Sequence, residues 1–99
     1  MRNGRITISN WWDHGRENLK EHGVAFDEAA TVFRDANALS IIDTDHSDSE
    51  DRWITMGLSE KGRLLIVIHT FLEENDTVVK IRIISSRKAT RQEIQTYGE

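Results

Sequence analysis

The chain contains no cysteine and no proline, and only one tyrosine. Without cysteine there are no disulfides and no thiolate metal sites or nucleophiles, which fits a cytoplasmic protein. Without proline, tight turns depend on Gly, Asn and Asp. No apolar run approaches the roughly 20 residues that span a bilayer, and Met1-Arg2-Asn3-Gly4-Arg5 leads into no signal-type apolar core. No repeat or low-complexity segment is present either. What remains is 99 residues, 37% hydrophobic and 30% charged, the composition of one soluble domain over 1–99 with a single core.

The net charge of −4 conceals a segregation. Asp43, Asp45, Asp48, Glu50 and Asp51 form an acidic run without a cation. Lys80, Arg82, Arg87, Lys88 and Arg91 form a basic run without an acid, on the apolar Ile81, Ile83 and Ile84. Local field matters more to a ligand than the total, so the basic stretch is the place suited to a phosphate.

Arg5 to Ser9 reads as a strand. Asp13 is placed to cap a helix ending near His22, with Trp12 and Leu19 on its apolar face and Gly23 closing it. Gly15 weakens that helix. A second helix has Asp27 as its cap and carries Phe26, Ala29, Ala30 and Phe33 on one side, fading at 35–37. The period then changes to two. Strands are expected over 38–43, 52–58, 63–71 and 77–85, with an acidic loop at 44–51 and turns at 59–62 and 73–76. Leu64 to Ile68 is apolar at both parities, as in a central strand covered on both faces. Thr90-Arg91-Gln92-Glu93 is a capping box opening a short helix through Tyr97. The order β-α-α-β-β-β-β-α predicts an α+β fold, with N-terminal helices packed on a mostly antiparallel sheet and a short C-terminal helix.

Four histidines and the acidic run invite a metal, but no histidine pair has i, i+4 spacing. Asp43-x-Asp45-x-Ser47 opens like a calcium loop, yet Asp48 replaces the required glycine and Ile54 the bidentate glutamate. No metal or cofactor is expected. The hydrolase elbow GxSxG and the phosphate loops are absent. What the residues leave open is metal-free phosphodiester chemistry on RNA, in which the 2′-hydroxyl attacks its own phosphate. That reaction needs charge neutralisation and proton transfer. Arg52, Arg82 and Arg87 are candidate clamps, and His22 and His69 candidate proton carriers. Each has a plainer reading: solvated arginines, a histidine at a helix end and a buried core histidine. Trp11, Trp12 and Trp53 could stack on bases or simply fill the core.

Three segments resemble the BrnT toxins of bacterial type II toxin–antitoxin modules, which are similar to RelE-like ribonucleases. The first runs from Asn18 through Lys20, Glu21, His22, Gly23, Phe26 and Glu28 to Ala29, against a family pattern near N-x-x-K-H-G-V-x-F-x-E-A. The second is Asp45-His46-Ser47 with Glu50, Arg52 and Gly57. The third is Arg82 to Thr90 with Glu93 and Tyr97. Glu21 stands where the family has lysine, and the lead-in to Asn18 is short. The resemblance implies a RelE-like fold and a metal-independent endoribonuclease that arrests growth. It also implies a BrnA-type antitoxin partner that contacts promoter DNA through its own domain. It assigns activity to His22, Arg52, Arg82, Ser85 and Arg87; the cations Lys20, Lys80, Lys88 and Arg91 are expected to contact RNA beside them. The competing expectation is an inactive RelE-like module serving in partner binding or promoter control.

Overall fold

The computed structural model of the chain describes residues 5–9, 12–46, 51–75 and 78–98. Strand β1 (Arg5–Ser9) leads to helix α1 (Trp12–His22) and helix α2 (Phe26–Ala30), which tightens into a 3-10 turn over Thr31–Arg34. Strands β2 (Leu39–Ile42), β3 (Arg52–Leu58), β4 (Leu64–Asn75) and β5 (Val78–Lys88) follow, and helix α3 (Arg91–Tyr97) closes the chain. The five strands form one sheet in the order β1-β5-β4-β3-β2. Only the β1–β5 pair is parallel; the others are antiparallel, as consecutive strands on short turns must be. The α+β architecture expected from the element order is the one observed. No helix among the described residues is long and apolar enough to cross a membrane.

The main core lies between the helices and one face of the sheet, here called the helix face. Val24, Phe26, Ala29 and Val32 meet Leu65, Val67 and Ile83 there. Leu65, Ile66 and Val67 are all buried, which is the continuous burial expected of a central strand. Leu58 and Gly62 bracket the β3–β4 turn. Gly62 holds φ +80, a left-handed conformation that L side chains rarely adopt. Gly23 does the same after α1, with φ +70 and its amide donating to the Leu19 carbonyl at 2.9 Å.

Several local expectations are corrected. Helix α1 begins at Trp12, so Asp13 lies in its first turn and is not its cap. Leu19 does not face the core: it is 52% exposed, and the residue α1 buries there is the polar Asn18. Asn18 wins because its amide satisfies backbone groups that a leucine would leave unpaired. Its Nδ2 donates to the Val24 and Ser86 carbonyls, both at 2.8 Å, and its Oδ1 accepts from the Ser86 amide at 2.9 Å. Helix α2 starts two residues early, with Ala25 in the cap position and no side-chain cap, because buried Phe26 is drawn into the first turn. Asp27 then supplies a favourable charge to that turn. Strand β5 runs to Lys88, three residues further than its sequence pattern suggests. The capping box is as expected: Thr90 Oγ1 accepts from the Glu93 amide, and Glu93 Oε1 accepts from the Thr90 amide at 2.8 Å.

A buried ion pair holds α2 to the β3–β4 turn. Glu28 is 4% exposed, and its carboxylate takes hydrogen bonds from the Arg63 guanidinium and from Ser59 Oγ at 2.7 Å. Arg63 also donates to the Gly23 carbonyl at 3.0 Å, which joins both helix ends to one side chain. The Arg63 contact is the main reason the Glu28 carboxyl is held below the usual range, against its own burial.

Candidate active site

The basic strand β5 is positioned by an irregularity. Its antiparallel register with β4 runs Thr70↔Arg82 and His69↔Ile83, then shifts to Ile68↔Ser85 and Val67↔Ser86, leaving Ile84 as the extra residue of a β-bulge. In a regular strand, side chains three apart point to opposite faces. With the bulge, Ile83 and Ser86 both turn to the helix face, where both are buried. Arg82, Ser85 and Arg87 consequently all turn to the other face. Asn18 grips the Ser86 backbone on both sides immediately after the bulge, so it holds the new register in place.

Cross-strand pairing then assembles a site on the face away from α1 and α2. Arg52 pairs with Thr70, and Thr70 with Arg82, so two guanidiniums stand in one row with a nearly buried threonine between them. Their backbones are two strand spacings apart, about 10 Å. The next row carries Ser85 beside Ile68 and Ile54, and the row after it Arg87 beside Ile66 and Met56. Lys80 shares the parity of Arg82 and is exposed. Lys88 pairs with Leu65 and so turns to the helix face, exposed at the end of the strand, and Arg91 opens α3. The register thus brings together Arg52, Arg82, Ser85 and Arg87, with Lys80 along the same strand.

Arg87 is already engaged. Its Nη1 and Nη2 donate to the two carboxylate oxygens of Glu93 at 2.8 and 3.0 Å, and Nη1 also reaches the Lys88 carbonyl at 3.3 Å. This fork-to-fork pair brings the Glu93 carboxyl down to about 2 and raises Arg87. One carboxylate therefore caps α3 and pins the arginine of β5.

His22 is not brought to the arginines. It ends α1, on the opposite layer, where its Nε2 lies 3.8 Å from Glu21. Lys20 is exposed on that same helix. His69 also faces the helices: it is 3% exposed, its Nε2 lies 2.6 Å from Thr55 Oγ1, and Phe33 meets its ring edge-on at 4.8 Å. Burial lowers its pKa, so it is neutral near pH 7. Tyr97 donates to Asp35 at 2.6 Å, which raises its pKa and removes it as a base. Among the described side chains no histidine shares the arginine face, and no three His, Asp or Glu residues gather as metal ligands. The described polar side chains gathered there are arginines and hydroxyls, with the Glu93 carboxylate on Arg87. The bulge gives no signal in the sequence, because Ile83 and Ile84 are both apolar.

Residues 12–93 match a family model described as the ribonuclease toxin, BrnT, of type II toxin–antitoxin systems. In overall structure the chain is similar to the ribonuclease toxin BrnT of Brucella abortus, with a TM-score of 0.64 and 17% identity. The match covers 88% of this chain and 100% of that one. No curated protein matches the chain in sequence.

Proposed function

Because the chain belongs to the family of BrnT ribonuclease toxins of type II toxin–antitoxin systems, we propose that it is a metal-independent endoribonuclease acting through its arginine face. In this reading it cleaves cytoplasmic RNA and arrests growth, and a BrnA-type antitoxin neutralises it, itself carrying any contact to promoter DNA. The observation that supports the reading is the convergence of Arg52, Arg82, Ser85 and Arg87 on one face through the bulge at Ile84.

When the 2′-hydroxyl attacks the adjacent phosphorus and gives its proton to water, the phosphate gains negative charge. The P–O5′ bond then breaks, the 5′-oxygen takes a proton from water, and a 2′,3′-cyclic phosphate is left. Fixed cations stabilise the state of added charge more than the ground state, which is the condition for catalysis. Arg52 and Arg82 flank one strand and can hold a phosphate between them, each by two parallel hydrogen bonds. Ser85 would orient a phosphate oxygen from the adjacent row. Arg87 would join by exchanging Glu93 for a phosphate, one oxyanion for another. Lys80 and Arg91 would track the flanking backbone, so binding would weaken as salt rises. His22 and Lys20, on the far layer, have no part in this mechanism.

A second reading is favoured by two facts: Arg87 is pinned by Glu93, and no described histidine shares the face. It makes the chain a RelE-like scaffold that binds its partner without cleaving RNA. Induction of the chain alone in a bacterial host separates the two. Growth arrest with fragmented RNA is expected from the enzyme. Normal growth and intact RNA, from folded protein at good yield, would establish the scaffold.

A further inference from the structure

On the helix face, beyond the last turn of the helices, Phe33, Ser40, Trp53, His69 and Phe71 line a cup of about 190 Å³. Trp53 and Phe71 lie side by side in its lining, with ring centroids 6.5 Å apart and planes tilted 56° to one another. A polar chain crosses its floor: Ser40 Oγ lies 2.7 Å from Thr55 Oγ1, which lies 2.6 Å from His69 Nε2.

The direction of that chain is fixed by valence. His69 Nδ1 is 3.2 Å from the Thr70 carbonyl, which can only accept, so Nδ1 carries the proton. Buried and neutral, the imidazole leaves Nε2 as an acceptor. Thr55 must then donate to Nε2, and having spent its one hydrogen it must accept from Ser40. Ser40 spends its own hydrogen on Thr55. What the exposed Ser40 oxygen offers the cup is lone pairs alone, so the cup calls for a donor.

Its rim has the matching sign. Asp51, exposed, precedes Arg52 and so shares the parity of Trp53 at that end of the sheet. Glu73, two residues beyond Phe71 and exposed, lies on the same face. Aromatic walls, an acceptor floor and an acidic rim are together the recognition chemistry of an organic cation. A nucleobase would also suit the rings and the acceptor, but it would bring its phosphates against this rim, while the arginines lie across the sheet.

We propose that this cup receives an arginine side chain of the protein that neutralises this toxin. A guanidinium is planar and weakly hydrated, stacks on indole and phenyl faces, and donates to a hydroxyl at its edge. Exposed Ile42, paired with Trp53, supplies an apolar shoulder for the rest of such a contact. The inference rests on the toxin reading only for the identity of the partner.

The test uses the intact protein and small probes, so neither RNA cleavage nor the antitoxin enters it. Nα-acetyl-arginine amide is titrated while the Trp53 indole N–H and Ser40 amide are followed by NMR, with the citrulline analogue as the uncharged isostere. Saturable shifts with the arginine probe, absent with citrulline, are expected, and Ser40→Ala should weaken binding about tenfold, as for loss of a hydrogen bond to a charged group. Equal shifts with citrulline, shifts from cytidine or adenosine but not from arginine, or no shifts from any probe would each overturn the proposal.

Discussion

Replacing Asn18 with alanine tests whether a buried amide in α1 sets the shape of β5. The substitution removes three hydrogen bonds and leaves the Val24 carbonyl and both polar groups of the Ser86 backbone without those partners. At about 1 kcal/mol net for each bond, the loss is roughly 3 kcal/mol. Alanine's better helix propensity returns about half a kcal/mol. The expected cost is therefore about 2.5 kcal/mol, a large part of the roughly 5–15 kcal/mol that stabilises a domain. It corresponds to a fall in melting temperature of roughly 10–20 °C. Urea unfolding followed by circular dichroism measures it. Asn18→Asp sharpens the test, because aspartate keeps the acceptor for the Ser86 amide but sets a carboxylate against two carbonyls. It should be at least as damaging at pH 7. It should partly recover as pH falls, since the buried carboxyl is disfavoured when charged and its protonated form can donate. A cost below about 0.5 kcal/mol for Asn18→Ala, or an aspartate variant as stable as wild type at pH 7, would refute the role given to Asn18.

Glu93→Gln should change the acid limb of the stability curve. Glu93 titrates at about 2 in the folded chain against an ordinary 4.5. Its contribution is thus complete above about 4.5 and disappears as pH falls toward 2. The shift would correspond to about 3 kcal/mol. Solvent screening of the half-exposed Arg87 reduces the realistic figure to about 1 kcal/mol. Wild type and variant should converge below pH 3; parallel curves would contradict the pairing. Two glycines should respond with opposite signs. A Cβ at Gly57 would lie 2.7 Å from Val32 Cγ1, so Gly57→Ala should cost about 1–3 kcal/mol. At Gly15 the nearest atom is Phe26 Cδ2 at 3.5 Å, an ordinary contact, so Gly15→Ala should stabilise by up to about 1 kcal/mol. Thermal unfolding of the pair checks both, and a stable Gly57→Ala would show that β3 does not press on the 3-10 turn.

Periodicity and turn chemistry carried most of the architecture. The alternation in β2 to β5, the closing Gly23 and the Thr90–Glu93 box are local signals that the tertiary structure keeps. The errors came where tertiary demand outweighs local pattern. Asn18 looks like a solvent position on α1, but the sheet backbone needs its amide more than it needs Leu19. Ile83 and Ile84 look interchangeable, which hid the bulge that turns Ser85 and Arg87 toward Arg82. Basic residues on one stretch of sequence were legible as a group; their sharing one face was not. His22 is close to the basic residues in its chemistry and far from them in space, because α1 packs on the other side of the sheet. His69 could be read as a buried histidine, but its link through Thr55 to Ser40 joins three strands that only the register brings together.

The central claim is that a row of arginines, working without a metal, cleaves RNA. The most direct test is cleavage of a labelled RNA by the purified chain in EDTA, comparing wild type with Arg82→Gln and Arg52→Gln. The account predicts cleavage by wild type, with a loss on the order of a hundredfold in rate for each variant at unchanged fold, the scale of removing one oxyanion-stabilising group. Cleavage that needs added metal, or that survives both substitutions undiminished, would contradict it.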